Sequence, residues 1–440
     1  MKQRLKNLLP LLRRLLANRV AQNAGWLIGG QIAQMLVSLI VGLLTIRYLG
    51  PSNYGLIDYG MAYTNFFYCF CTLGINSVIV KELIANADRE GEIMGTALGL
   101  RGISSFLSAL VIISISSFLD RGDPLAILIV ALCSIGVLFQ VLELFRYWFQ
   151  SKLQSKVPAI ISLITYIITA AYRIFLLATG KSVSFFALAY SVDYCLAGVL
   201  LFLMYKKYGG QRISFSLPYA KELLKISSPF IIPSLMVAIY SQTDRLMLKQ
   251  MISPAEIGYY SSALSLCTLW CFVLSAIIDS MYPTIMEAFS RSREEFTYKN
   301  KLLYAIVIYL SVFVSIFLVL LAKPVILLLY GPEYLPAVGP LRIITWYTAF
   351  SYLGVARNAW IVCNNKQRYL KYVYFSGAAA NIVFNLILIP RWGASGAALA
   401  SFAAQITTTI IAPFFIPDLH ENSVMMLESF LLKGQRRSSL

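Results

Sequence analysis

The sequence predicts an all-α membrane protein of twelve transmembrane helices in two sets of six, and three observations lead there. Hydrophobic residues make up 58% of the 440-residue chain and charged residues only 13%, with a mean hydropathy of +0.71, so there is too little polar surface to cover a soluble globule. The apolar residues fall in runs about 20 long, the length at which a helix rising ~1.5 Å per residue crosses ~30 Å of hydrocarbon. Barrel strands need only ~10 residues of alternating polarity, which these runs do not show. Lys and Arg, finally, are shared very unevenly between alternate loops.

Taken in order, a basic segment (1–24) precedes an uncharged run from Gly25 to Ile46. That run has no short apolar core followed by a small-residue cleavage site, so it is expected to remain as the first span. Within the segment, LLPLLRRLLANR has the character of a short basic amphipathic helix on the membrane surface. Spans at 25–46, 59–80, 94–119, 124–145, 157–179 and 183–205 form the first set (25–205). The longest basic loop (206–225) leads to a second set (226–417), with spans at 226–248, 257–282, 302–322, 338–362, 372–390 and 392–417, and a tail (418–440) follows. Pro229 and Pro233 near the start of the seventh span are expected to bend it, because proline removes a backbone donor and clashes with the preceding turn.

The cations set the orientation, because short loops rich in Lys and Arg stay in the cytoplasm. With both termini inside, 26 of the 37 Lys and Arg lie on the cytoplasmic side, eight outside (47, 121, 181, 245, 249, 323, 342 and 391), and three within spans. Much of the net charge of +17 is therefore a topology signal, and no nucleic-acid partner is expected. Basic protein beside anionic membrane lipid is favourable as well.

Several function classes are excluded. The seven cysteines all sit in apolar runs and His420 is the only histidine, which leaves no disulfide framework, no His-based zinc site and no Ser-His-Asp triad. There is no P-loop pattern, and no loop exceeds about 20 residues, too short for a nucleotide-binding domain. Neither a cofactor nor an enzymatic activity is expected. A membrane-bound glycosyltransferase or polymerase would bring a large extramembrane loop or a cluster of carboxylates, and the sequence has neither.

Charges at bilayer depth are functional candidates by default, since each costs several kcal/mol unless it faces a cavity or a partner. Away from the helix ends, where Glu143, Asp244 and Asp279 lie, the spans hold Arg101, Arg173 and Arg357 against a single acid, Asp193, and three cations against one acid suggest an anionic cargo. Arg47 and Arg342 at the outer helix ends join them as expected substrate-binding residues, and Asp193 and Asp244 as expected ion-coupling residues. The structural alternative is pairing, chiefly Arg173 with Asp193 across adjacent helices. Guanidinium suits a pyrophosphate because its planar fork bonds two oxygens and stays charged.

One stretch repeats. RYLGPSNYGLIDYG (47–60) and QMISPAEIGYYSSA (250–263) share Pro51 with Pro254 and Gly55 with Gly258, at an offset of 203 positions, so the chain carries a weak internal duplication. Two halves with an even number of spans would run parallel, related by an axis along the membrane normal.

Three stretches, IRYLGPSNYGLIDYG, YGPEYLPAVGPLRII and NIVFNLILIPRWGASGAALA, resemble the polysaccharide-flippase (Wzx-like) branch of the multidrug/oligosaccharidyl-lipid/polysaccharide (MOP) exporter superfamily, along essentially the whole chain. The third, with its N-x-x-x-N and G-x-x-G-A-A pattern, is the most specific. The resemblance implies two six-helix lobes around a central cavity, with 47–60 and 250–263 as corresponding outer hairpins. It implies alternating-access movement of an undecaprenyl-pyrophosphate-linked oligosaccharide to the outer leaflet of a bacterial cytoplasmic membrane, for surface polysaccharide biosynthesis. Membrane lipids and the polysaccharide assembly machinery would be its partners. The competing reading is a cation-coupled drug antiporter of a sister branch; such a protein should hold more acid than base in its spans, and here the count runs the other way.

Overall fold

The computed structural model describes residues 19–430, with side chains from Val37 onward, Ser38 excepted. The expected surface helix at 8–19, apart from Arg19, and the tail cations Lys433, Arg436 and Arg437 lie outside the described residues. Within them the chain is 90% helical and has no strand. Eight helical runs are long and apolar enough to cross a membrane: Ala87–Leu119, Pro124–Ser151, Lys156–Ala178, Val183–Lys207, Leu217–Met251, Cys271–Arg291, Arg293–Leu320 and Gln367–Phe415. The protein is thus an all-helical, multi-pass membrane protein.

Breaks at glycine and proline correct some of the expected boundaries. The helix Arg19–Thr72 is interrupted only at Gly50 (φ 70, ψ 173), a backbone conformation open essentially to glycine alone, and Pro51 starts the helical path again. Within the expected outer hairpin at 47–60, Gly50 is the one residue with non-helical backbone angles. Gly393 (φ 51, ψ −129) likewise divides the helix Leu370–Ile406, close to the expected boundary at 390–392. The expected bend at Pro233 is not there. The break lies at the 3₁₀ turn Ser228–Phe230, around Pro229, and Pro233 falls in the first turn of the helix Ile231–Met251, where its missing N–H has no intrahelical partner to lose.

The chain divides into two compact units. The first comprises 1–48 and 63–234, the second 49–62 and 235–440. In the first unit the helices Pro124–Phe139 and Val183–Lys207 pack side by side, flanked by Glu90–Leu119 and Lys156–Ala178. A core of Ile79, Phe145, Trp148, Phe149, Tyr205 and Leu223 closes one end.

The basic loop 206–225 is more ordered than expected of a linker. Gly91, Gly95 and Gly99 repeat at helical spacing and open a groove along one helix face, in which 211–215 lies extended. A Cβ on Gly91 or Gly95 would strike the backbone of Arg212 or Ser214, and one on Gly99 the Phe215 ring. Ser214 N donates to Gly91 O at 3.1 Å, Gly91 N to Gln211 Oε1 at 3.0 Å, and Ser216 N to Thr96 Oγ1 at 3.1 Å. Ser216 then caps the helix Leu217–Ser227.

In the second unit the tail begins as the helix Pro417–Phe430, which buries Leu419, Met425 and Met426 in the core with Trp360 and Phe296. Three acids hold it to basic neighbours: Asp418 to Lys366, Glu421 to Arg293 at 2.6 Å, and Glu428 to Lys301 at 2.6 Å. Hydrogen bonds from Lys366 and Tyr369 hold the Asp418 carboxyl below the usual carboxylate range. None of the seven cysteines is in a disulfide, and all but Cys195 are buried.

Candidate functional site

The repeated stretches pack on each other, both inside the second unit. A Cβ on Gly55 would meet the Pro254 carbonyl carbon at 2.9 Å and Gly258 N at 3.0 Å, and one on Gly258 would meet the Pro51 carbonyl carbon at 2.8 Å and its Cα at 2.9 Å. Each proline opens a helical stretch and each glycine, four residues on, lets the other stretch touch it. Residue i meets residue j while the equivalent of j meets the equivalent of i, the reciprocal pattern of a local two-fold. Asp58 and Ser261, equivalent under the same offset, are hydrogen-bonded to one another. Arg245 joins them, with its Nε 2.5 Å from Asp58 Oδ2 and 3.3 Å from Ser261 Oγ, and its Nη1 donates to Ser241 O and Gln242 Oε1.

One residue earlier, Asp244 is only 1% exposed and interacts electrostatically with Arg245. Its Oδ1 accepts from Asn381 Nδ2 at 2.8 Å and Asn385 Nδ2 at 2.6 Å; its Oδ2 accepts from the Tyr260 hydroxyl at 2.7 Å and from the Ser401 hydroxyl. The donors come from separate helical stretches. Asn381 and Asn385 are one turn apart ahead of the Gly393 break, and Ser401 returns beside them after it, so the break doubles the chain back onto the acid. Asn385 Oδ1 is buried without a partner among the described residues. A carboxylate held by neutral donors, with a spare amide oxygen beside it, can take up a proton or a small hard cation; oxygen donors of this kind suit such ions. No group of three or more His, Cys, Asp or Glu able to hold a metal ion occurs among the described residues.

The intramembrane arginines are not brought together. Arg101 is fully buried in the first unit, where its Nη1 donates to Asn76 Oδ1 and its Nη2 to Gln140 O, both at 3.0 Å. It thereby ties the 3₁₀ turns Ile75–Ser77 and Gln140–Glu143 to each other. Arg357, 2% exposed in the second unit, donates through Nη1 to Thr408 O at 3.2 Å and Thr409 O at 3.3 Å, within the π-helical turn Thr407–Ile411. Arg101 also interacts electrostatically with Glu143, whereas Arg357 forms no ion pair with an acid among the described residues.

Arg173 and Asp193 attract each other electrostatically but form no direct salt bridge among the described residues. Thr169 Oγ1 donates to Asp193 at 3.1 Å, while the Arg173 guanidinium stacks 4.5 Å from the Tyr190 ring centroid. Arg47 and Arg342 are exposed.

Known proteins share both the fold and the sequence pattern. The fold is shared with solved transporters: a lipid II flippase, MurJ, in an inward closed conformation (TM-score 0.69, 16% identity, 94% of each chain), and an inward-facing multidrug resistance MATE family transporter of the MOP superfamily (TM-score 0.67, 14% identity, 89% of this chain and 95% of that one). Among sequences, the capsular polysaccharide biosynthesis protein CapF of Staphylococcus aureus is 21% identical over 401 residues, covering 90% of this chain and 99% of its own. The polysaccharide biosynthesis protein family matches residues 20–289, and the chain belongs to that family. The family match and this fold agree with the resemblance carried by the three sequence stretches.

Proposed function

We propose that the chain is a flippase that moves an undecaprenyl-pyrophosphate-linked oligosaccharide from the inner to the outer leaflet of a bacterial cytoplasmic membrane by alternating access, supplying surface polysaccharide biosynthesis. It is a transporter and not an enzyme, crosses the membrane twelve times with both termini cytoplasmic, and hands its cargo to the polysaccharide assembly machinery. The observation that carries this reading is the polysaccharide-family match over 20–289, joined to near full-length similarity to a capsular polysaccharide protein. The lipid II flippase fold supports the mode of action.

Arg101, Arg173 and Arg357 supply cationic character within the spans, and Arg47 and Arg342 at the outer end. Asp244, with Asp193, carries the coupling ion. A cargo with about two negative charges is also pushed outward by an inside-negative potential, by ~2.3 kcal/mol per charge per 100 mV.

Depleting the protein in its native host tests this. Surface polysaccharide should disappear while the lipid-linked oligosaccharide accumulates, and sensitivity to cationic drugs should stay unchanged. Unchanged polysaccharide with raised drug sensitivity would instead establish the drug-antiporter reading.

A further inference from the structure

The geometry points to an oxyanion site within the second unit, in which the guanidinium of Arg357 grips one phosphate-type group. Arg357 lines a cavity of about 90 Å³ together with Tyr240, Ser351, Asn358, Tyr374 and Thr409. Its Nη1 is taken up by the two carbonyls of the π-helical turn. Nε and Nη2 remain, the edge whose two parallel donors match two oxygens of a phosphate, and neither has a hydrogen-bond partner among the described residues; Nε is wholly buried.

A buried cation balanced only by neutral carbonyls is an expensive arrangement, several kcal/mol short of what an opposite charge would return. The rest of the cavity fits an anion. Its lining contains hydroxyl and amide groups and no carboxylate, so it offers donors and no like charge. Its volume is well above the roughly 10–15 Å³ one water needs, yet below the ~300 Å³ at which pockets for whole ligands begin. It therefore takes a single phosphate group and not a sugar. The π-helical turn is part of the device, because its widened ring presents the Thr408 and Thr409 carbonyls sideways and fixes the guanidinium plane.

The phosphate has two possible sources, the diphosphate of the lipid-linked cargo or free inorganic phosphate. Only the first rests on the flippase reading. The test uses the purified full-length protein in detergent and reads its unfolding midpoint in inorganic phosphate against chloride at equal ionic strength. Phosphate should raise the midpoint saturably, Arg357→Gln should abolish the rise, and Arg357→Lys, which keeps the charge without the fork, should weaken apparent affinity at least tenfold. No difference between phosphate and chloride in the unaltered protein, or an equal rise in Arg357→Gln, overturns the site. Should Arg357→Gln not fold, the pair Ser351→Ala and Asn358→Ala leaves the clamp on the π turn intact; an undiminished phosphate response in that variant also overturns it. Competition by a polyprenyl diphosphate in micelles assigns the site to the cargo, and its absence assigns the site to free phosphate. A phosphate response in a protein that moves no lipid-linked sugar keeps the site and removes the flippase reading. Transport without any phosphate response does the reverse.

Discussion

Gly258→Val is expected to lower the abundance of the protein severely and to remove surface polysaccharide. The atoms a Cβ would strike are the Pro51 carbonyl carbon and Cα, which belong to backbone and cannot swing aside. The two helical stretches would have to separate, and the whole crossing, including the Asp58–Arg245 ion pair and the Asp58–Ser261 hydrogen bond, would open with them. Overpacking of this kind costs about 1–3 kcal/mol, and the absence of a flexible neighbour puts this case at the upper end. The equivalent change at Gly55 should behave the same way, because the contact is reciprocal. Gly42→Ala and Gly102→Ala are the controls: nothing lies within 4 Å of a Cβ at either, and alanine in a helix interior should be neutral or stabilise by about 0.5–1 kcal/mol. Unfolding midpoints in detergent read both sides of this contrast. A Gly258→Val protein as stable as the controls would mean that the crossing does not hold the molecule together.

Asp244→Asn should leave the protein folded and abundant but cut polysaccharide export at least tenfold. Asparagine is isosteric, and its carbonyl oxygen can still accept from Asn381 and Asn385. The Tyr260 and Ser401 hydroxyls can rotate to accept from the new amide where they now donate, so the hydrogen bonds survive in reversed sense. What is lost is the charge, and with it the capacity to bind a proton or cation. Asp244→Leu is different: it leaves two amides and two hydroxyls unmatched, at about 1–3 kcal/mol for each buried group, and abundance should fall as well. Comparing abundance with export for the two variants separates coupling from packing. Full export by Asp244→Asn would show the acid to be purely structural.

The sequence disclosed the membrane class, the helix breaks and the duplication much more readily than the contacts. Gly50-Pro51 announces a break because only glycine takes that conformation and proline then starts a helix. The Gly-Pro stretch and its copy 203 positions on could be seen as equivalent, yet equivalence alone does not say that the copies touch. Asp244 reads as a charge near a helix end, since the apolar run stops just after it. Its burial comes from partners 137 to 157 positions further along the chain. The signal available for it was the N-x-x-x-N pair, two amides one turn apart in an otherwise apolar helix, which marks a polar face seeking a partner. The Gly91, Gly95, Gly99 spacing was legible in the same way, as a helix face on which a backbone can lie. Pro233 misled because a proline's effect depends on its place in the helix, and the turn at Ser228–Phe230 restarted the count.

Movement of lipid-linked oligosaccharide across a bilayer by this chain can be followed by reconstituting the purified protein into liposomes loaded on both leaflets with a fluorescent polyprenyl-diphosphate sugar. An impermeant quencher or glycosidase reports the fraction accessible from outside. Liposomes with the unaltered protein should expose the inner-leaflet pool over time, Asp244→Asn should do so at least tenfold more slowly, and protein-free liposomes should retain it. Retention of the inner pool by the unaltered protein, under an imposed potential and ion gradient, would contradict the assignment.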